Sequence, residues 1–152
     1  MQAEFTIHGE PKGKGRPRFS TKSGTAYTPE ATANYENLVK VEYLRQCGNV
    51  KFEQGKELEI TITAYFSIPE SKSKKAKEQM RSGMIRPTKK PDMDNIVKII
   101  ADSLNKIAYH DDSQIVDAVI RKYYSDNPRV VVKIAEIEKE SEVSGGKLTK
   151  TA

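Results

Sequence analysis

The chain has 152 residues and a formal net charge of +5, with 31% charged and 36% hydrophobic residues. This length predicts one domain, and the chain has no apolar run of the ~20 residues that a membrane helix needs. The single cysteine, Cys47, excludes an internal disulfide framework and cysteine-rich metal sites. Since the N-terminus also lacks a signal-peptide pattern, we expect a cytoplasmic protein with no membrane association.

The first half of the chain predicts a strand, a loop, a helix and a second strand, in that order. Residues 3–8 predict a short strand, and residues 9–28 are rich in glycine, proline and basic residues, which is typical of a loop. Residues 29–46 predict a helix, with Thr28 as its candidate N-cap. Residues 58–68 alternate between apolar and polar side chains and predict an amphipathic strand.

The second half predicts one clear helix and two strands. Residues 71–83 are compatible with either a short basic helix or a mobile loop. Residues 92–107 predict a helix, because their apolar side chains recur at helical spacing. Residues 114–124 and 129–137 predict strands, and the Ser-Asp-Asn-Pro sequence between them indicates a hairpin.

This order of elements predicts an α+β fold, with a mixed β-sheet and helices packed on one face. The domain spans residues 1–137, and residues 138–152 predict a polar, disordered tail. In the predicted hairpin Val130, Val131 and Val132 are consecutive, and a strand that is apolar on both faces is usually covered on both. The second cover is either a partner subunit or another layer of the same chain.

The positive charge is concentrated in two segments. Residues 1–28 carry five basic and two acidic side chains, and residues 72–90 carry eight basic and one acidic side chain, so the rest of the chain is acidic. This distribution is typical of proteins that bind polyanions, because lysine and arginine neutralise nucleic-acid phosphates. The alternative is that lysine-rich loops only increase solubility.

The N-terminal loop alternates basic residues with glycine and proline. Glycine lets a backbone approach a phosphate closely, and arginine binds phosphate oxygens in a bidentate manner. Phe19 and Tyr27 lie in the same loop, and we expect them to pack in the core rather than to stack on bases. The candidate DNA-binding residues are Lys12, Lys14, Arg16, Arg18, Lys89 and Lys90.

Acidic residues cluster around the predicted helix 92–107. On a helical wheel Asp94, Lys98 and Asp102 lie one turn apart on the face opposite the apolar stripe. Asp112 follows the helix, after Asp111. Carboxylates that are crowded together suit Mg²⁺, which binds through one or two carboxylates and substrate phosphate.

Each of these acidic residues also has a structural explanation. An aspartate at a helix N-terminus often only caps it, and Asp94 with Lys98 could be a surface ion pair. Asp111 and Asp112 could be turn residues. Spacing alone therefore leaves a metal site and a structural role open.

Three stretches in chain order resemble the RusA family of Holliday-junction resolvases. Residues 12–36 begin with KGKGRPRF, and residues 91–105 read PDMDNIVKIIADSLN, like the family's D-x-D-N-x-x-K-x-x-x-D-x-L pattern. Residues 110–124 read HDDSQIVDAVIRKYY, like its D-D-x-x-V tract with a lysine later in the same strand.

The resemblance implies a homodimeric, Mg²⁺-dependent endodeoxyribonuclease that cuts four-way DNA junctions by paired nicks. The family's essential acidic residues, which hold the metal, fall on Asp92, Asp94 and Asp112, and its active-site lysine falls on Lys98. Asp102 matches a recurrent acidic position whose role stays open.

We therefore expect a structure-selective DNA endonuclease that acts on branched DNA in the cytoplasm, in a nucleoid, phage or prophage context. One alternative is a nuclease of the same family that acts on flaps or other branched DNA. The other is a basic DNA-binding module without catalytic activity, whose aspartates are structural. Mg²⁺-dependent strand cleavage would exclude the second alternative.

Overall fold

The computed structural model describes residues 1–139. The strands are β1 (Gln2–His8), β2 (Arg18–Phe19), β3 (Ala26–Tyr27), β4 (Leu58–Ser67), β5 (Ile115–Ser125) and β6 (Arg129–Glu136). The helices are α1 (Glu30–Cys47), α2 (Lys74–Arg81) and α3 (Met93–Ser103), and one 3₁₀ turn precedes β5. The predicted tail lies outside the described residues from residue 140 onward. Within residues 1–139, no helix combines the length and apolar character needed to cross a bilayer.

Four strands form one mixed sheet in the order β1-β6-β4-β5. β4 and β5 are parallel and are joined by a crossover that contains α2 and α3, whereas the other pairs are antiparallel. The alternation along β4 places Ile60, Ile62 and Phe66 in the core, where α1 and α3 complete it. The predicted α+β fold with a mixed sheet is confirmed.

The predicted hairpin of the last two strands is wrong. β6 pairs with β4 on the side away from β5, so that β4 lies between them. Residues 126–128 cross the end of β4, because Ser-Asp-Asn-Pro lacks the Asn-Gly type of pair that closes a tight hairpin. β6 buries Val130, Val132 and Ile134 in the interior of the sheet, while β5 exposes Asp117 as an edge strand typically exposes charge.

The face of the sheet opposite the core is polar and aromatic. Only Val131 of the valine run points there, and it is half-buried. Tyr65 and Tyr123 stack across β4 and β5 with ring centroids 6.1 Å apart, and Arg129 lies 4.0 Å from the Tyr65 ring. Arg86 lies 4.2 Å from the Tyr123 ring, so the chain after α2 closes over this end of β5. The expected strand with two apolar faces is therefore not formed.

Some helix ends differ from the predicted ones, because side-chain hydrogen bonds set where the helix begins or ends. α1 begins after Pro29 without a side-chain cap, so Thr28 is not its N-cap. The basic segment after β4 does form a helix, α2, capped by the Ser73 hydroxyl, which accepts from the Ala76 N–H. α3 ends four residues earlier than predicted, since the buried Tyr109 hydroxyl donates to the Ala101 carbonyl at 2.6 Å as the chain turns back.

The N-terminal loop contains a small two-stranded hairpin, formed by β2 and β3. The expectation that its aromatic residues pack in the core is wrong: Phe19 is 67% exposed and Tyr27 is 50% exposed. A hairpin with two residues per strand has no buried face that could cover them. Both rings are therefore available to a partner, such as an unpaired base.

Candidate active site

One face of α3 lines a cavity of about 530 Å³. Asp94, Lys98 and Asp102 project into it from successive turns of the helix, as the helical wheel predicts, and Asp112 joins them from the turn before β5. Three acidic residues and one lysine therefore line one cavity. The rest of its lining is apolar and consists of Met93, Val97, Ala101, Ile115 and Ile120.

The cavity is held in place by the opposite face of α3. Ile96, Ile99 and Ile100 are fully buried in the core against the sheet. Because apolar residues repeat every three to four positions, burial of this stripe directs the acidic face outward. The core thus orients the acidic face of the helix.

Hydrogen bonds of the 3₁₀ turn position Asp112. Its backbone N–H donates to Asn105 Oδ1 at 2.8 Å, which ties the turn to the end of α3. The Asp111 carboxylate accepts from the Ser113 N–H at 3.0 Å and caps the turn together with Gln114. Hydrogen bonds from the Ser113 side chain and backbone lower the pKa of Asp111. Asp111 therefore has a structural role that leaves Asp112 directed into the cavity.

Asp102 and Asp112 line the same cavity and influence each other's charge. The pKa of Asp112 is raised, first by burial, then by the contact with Asp102 and by the charge of Asp111. Burial and the nearby carboxylates also raise the pKa of Tyr109, so this phenol stays protonated and keeps its bond to Ala101. The cavity therefore concentrates negative charge that a cation would relieve.

The carboxylates of this cavity fit a Mg²⁺ ion whose remaining ligands come from water and the substrate phosphate. Within residues 1–139, no three side chains of histidine, cysteine, aspartate or glutamate converge closely enough to hold a metal ion by themselves. Mg²⁺ commonly takes one or two carboxylates and completes its shell with water and substrate phosphate. The close pair of Asp102 and Asp112, with Asp94 in the same cavity, fits that mode of binding.

The structure places Asp92 apart from this cavity. Asp92 occupies the N-cap position of α3 and lines a neighbouring groove of about 800 Å³. The backbone of Asp92 is extended, whereas Asp94 lies in the first turn of α3, and the two residues line different depressions. The assignment of Asp92 as a metal ligand stays a prediction. The groove is also lined by Pro11, Lys12, Gly13, Lys14, Arg16, Lys90, Pro91 and Asn95.

The candidate DNA-binding residues fall into distinct environments. Lys12, Arg16 and Lys90 line the groove beside Asp92 and are exposed, as is Arg18 on β2. Lys89 lies 5.8 Å from the Tyr124 ring centroid. A basic surface thus adjoins the acidic cavity at the N-terminus of α3, and DNA binding by it stays a prediction.

Lys14 differs from its neighbours because two carboxylates hold it. Its ammonium lies 3.0 Å from Glu36 Oε2 and 3.5 Å from Asp102 Oδ2. Burial opposes the charged form, but these contacts prevail and raise the pKa of Lys14. Lys14, which was predicted to bind DNA, therefore contacts a residue of the acidic cavity and also lines the groove.

The glycines of the N-terminal loop serve close packing of the loop on the domain. A Cβ atom at Gly13 would lie 2.9 Å from the Pro91 Cβ, and one at Gly15 would lie 2.5 Å from Thr32 Oγ1. Neither distance is tolerable without movement of the neighbour. The sequence predicted that these glycines let the loop backbone approach a phosphate. In the structure they let it approach α1 and the start of α3.

Lys122 is a neighbour of the site that was not among the predicted site residues. Its ammonium donates to the Lys89 carbonyl at 2.6 Å and lies 5.0 Å from the Phe66 ring centroid. Burial lowers the pKa of Lys122, against the opposing effect of the Asp92 carboxylate. Its position in β5 could have identified Lys122 from the sequence. Ile120, Lys122 and Tyr124 lie on the inward face of the strand, where a lysine is unusual.

Comparisons with known proteins give a matching family and two relatives. A model of the family described as endodeoxyribonuclease RusA matches residues 8–135, which contain both the cavity and the groove. The chain is 39% identical over 143 residues to the uncharacterized protein YqaN of Bacillus subtilis (strain 168), covering 88% of this chain and 96% of that protein. It is 29% identical over 130 residues to the crossover junction endodeoxyribonuclease rusA of Lactococcus phage r1t, covering 85% and 86%.

Proposed function

The chain belongs to the RusA endodeoxyribonuclease family, and from this premise we propose that it is a Mg²⁺-dependent, structure-selective endonuclease that resolves four-way DNA junctions by paired symmetric nicks. The observation that carries this proposal is the cavity in which Asp94, Asp102, Asp112 and Lys98 meet, next to a basic groove. A simple DNA-binding module has no need for acidic side chains beside the phosphates it binds.

In the proposed mechanism Asp94 and Asp112 would hold Mg²⁺, with Asp92 as the third ligand that the family pattern predicts. When bound, Mg²⁺ supplies an activated water and neutralises phosphate charge. Lys98, in the same cavity, stabilises the negative charge that develops on the phosphate oxygens. Hydrolysis joins the water oxygen to phosphorus and breaks the P–O3′ bond, so we expect 5′-phosphate and 3′-hydroxyl ends.

Substrate choice in this proposal depends on the positions of phosphates. The exposed Lys12, Arg16, Arg18 and Lys90 bind the backbone beside the scissile position. Such contacts set orientation and register and carry no base identity. Junction shape should therefore dominate selectivity, with any base preference at the cut as a secondary effect.

One gel experiment tests the proposal. A four-way junction, a flap and a linear duplex are each incubated with the protein in Mg²⁺ and in EDTA. We expect paired nicks in the junction with Mg²⁺ only and little cleavage of the duplex. Preferential cutting of the flap would indicate the alternative nuclease, and the absence of cleavage in all lanes would leave the non-catalytic DNA-binding module.

The charge of the loop leads to a prediction for binding. Arg16→Ala combined with Arg18→Ala should weaken junction binding and reduce the slope of log K against log [salt] by about 2, because each lost phosphate contact removes about 0.9 from the slope. The slope is measured from filter binding between low and physiological salt. The matched control, Arg121→Ala with Lys133→Ala, removes two exposed charges from elsewhere on the sheet and should leave the slope unchanged. Equal slopes for all three proteins would contradict the loop assignment.

Paired nicking leads to a prediction of a homodimer. The described residues contain one acidic cavity of this kind per chain, whereas two nicks in strands of like polarity need two sites. A two-fold dimer would match the approximate two-fold symmetry of a four-way junction. Light scattering at micromolar protein, free and with junction, should give the mass of two chains. A monomer in both states that still made paired cuts would contradict this prediction.

A further inference from the structure

The ammonium group of Lys14 joins the N-terminal loop to both helices of the site. It lies between Glu36 of α1 and Asp102 of α3, at 3.0 Å and 3.5 Å. All three side chains are largely covered, with exposed fractions of 20%, 17% and 29% in that order. This bridge is therefore shielded better than the usual surface ion pair.

Hydrogen bonds also fix the backbone of Lys14 and Gly15. The Lys14 N–H donates to the Asn95 carbonyl at 3.0 Å, and the Gly15 N–H donates to Thr32 Oγ1 at 3.1 Å. Gly13 permits the contact with α3, since any Cβ there would collide with Pro91. These bonds fix the backbone from which the Lys14 side chain extends, and Glu36 and Asp102 hold its ammonium.

Asp102, which contacts the Lys14 ammonium, is also a neighbour of Asp112. Asp102 and Asp112 line the same cavity, and Asp102 helps to raise the pKa of Asp112, because neighbouring like charges repel each other. The Lys14 ammonium, 3.5 Å from Asp102 Oδ2, offsets part of this repulsion.

We propose that Lys14 is a positioning residue of the cleavage site, which fixes Asp102 beside Asp112 and so connects the docked loop to the acidic cavity. The inference rests on the proposed nuclease function for its kinetic consequences. Lys12 and Arg16, two residues to either side, are exposed in the groove, and the proposed function assigns the DNA contacts to them. Lys14 is already neutralised by two carboxylates, so its loss should affect chemistry more than affinity.

The kinetic test compares Lys14→Met with Lys12→Met. Junction affinity is measured in Ca²⁺, and the cleavage rate is measured in single turnover with saturating protein and Mg²⁺. Lys14→Met should lower the rate ~10- to 100-fold, the usual effect of losing a group that orients a ligand, and change Kd less than twofold. Lys12→Met should raise Kd. Lys14→Arg should recover much of the rate, because a guanidinium can contact both carboxylates.

A matched control and a second variant keep the test interpretable. Lys133→Met, on the outer face of the sheet, should change neither rate nor Kd. If Lys14→Met unfolds, Glu36→Gln takes its place, since it loosens the ammonium without removing it, and a smaller loss of rate is expected. An unchanged rate, or a rise in Kd with full rate at saturation, would overturn the proposal.

Amide NMR of the metal-free protein gives a readout that does not require activity. Lys14→Met should shift the amide resonances of Asp102 and Asp112, and Lys133→Met should not. Shifts confined to the loop would overturn the positioning role. If the wild-type protein cut no branched DNA, the proposed function would fail while this spectrum still decided the role of Lys14.

Discussion

Asp112→Asn should reduce junction cleavage by about 10³-fold or more without loss of fold or of junction binding. Loss of the metal site removes several kcal/mol of transition-state stabilisation, and each 1.36 kcal/mol corresponds to a factor of about ten. Asparagine keeps the size of the side chain, and the backbone bond to Asn105 is independent of the substitution. Because the raised pKa of Asp112 shows that its charge is disfavoured in the folded protein, the thermal midpoint should stay the same or rise. Single-turnover cleavage and thermal unfolding of the same preparation measure both effects.

Asp94→Asn and Asp92→Asn extend this experiment. The family pattern predicts equal losses for all three, with junction binding kept or tightened as negative charge is removed. Asp92→Asn is the most informative variant, since Asp92 lines the groove and not the cavity. Asp117→Asn, paired with Glu59 on the outer face of the sheet, is the matched control and should keep full activity. Near-normal cleavage by all three site variants would refute the metal-site assignment.

Lys98→Ala should lower the cleavage rate by about 10²- to 10³-fold, the usual effect of removing one group that stabilises developing charge. Lys98 is an exposed side chain whose ammonium borders the acidic cavity. An interaction that forms only in the transition state changes the rate at saturation and leaves binding largely intact. The rate is measured in single turnover, and Kd is measured in Ca²⁺.

Lys133→Ala is the control for charge, because it removes one exposed lysine from the outer face of the sheet. It should leave both the rate and Kd close to those of the wild-type protein. If Lys98→Ala raised Kd while the rate at saturation stayed normal, Lys98 would be a DNA-binding residue and the assigned roles would be reversed.

Local periodicity allowed several parts of the fold and of the site to be predicted. The alternation along β4 and the isoleucine stripe of α3 each report which side chains meet the core, because burial follows the repeat of the element. For the same reason the shared direction of Asp94, Lys98 and Asp102 was predictable. Elements whose apolar pattern is strong and local were therefore predicted in the right place, although α3 ends four residues before its predicted boundary.

Interactions between distant segments were decided only by the tertiary structure. β5 and β6 follow each other in the chain, yet β4 separates them, because strand order depends on the packing of the whole sheet. The sequence did not specify which side chains Asp112 meets, and the turn tied to Asn105 places it in the cavity that Asp94 and Asp102 also line. Lys14 has the sequence context of a phosphate ligand, but Glu36, 22 residues away, and Asp102 bind its ammonium. Composition and spacing identified the charged residues and the face of each element on which they lie. Long-range packing determined which of these residues meet, because the energy of each contact depends on partners that local sequence does not specify.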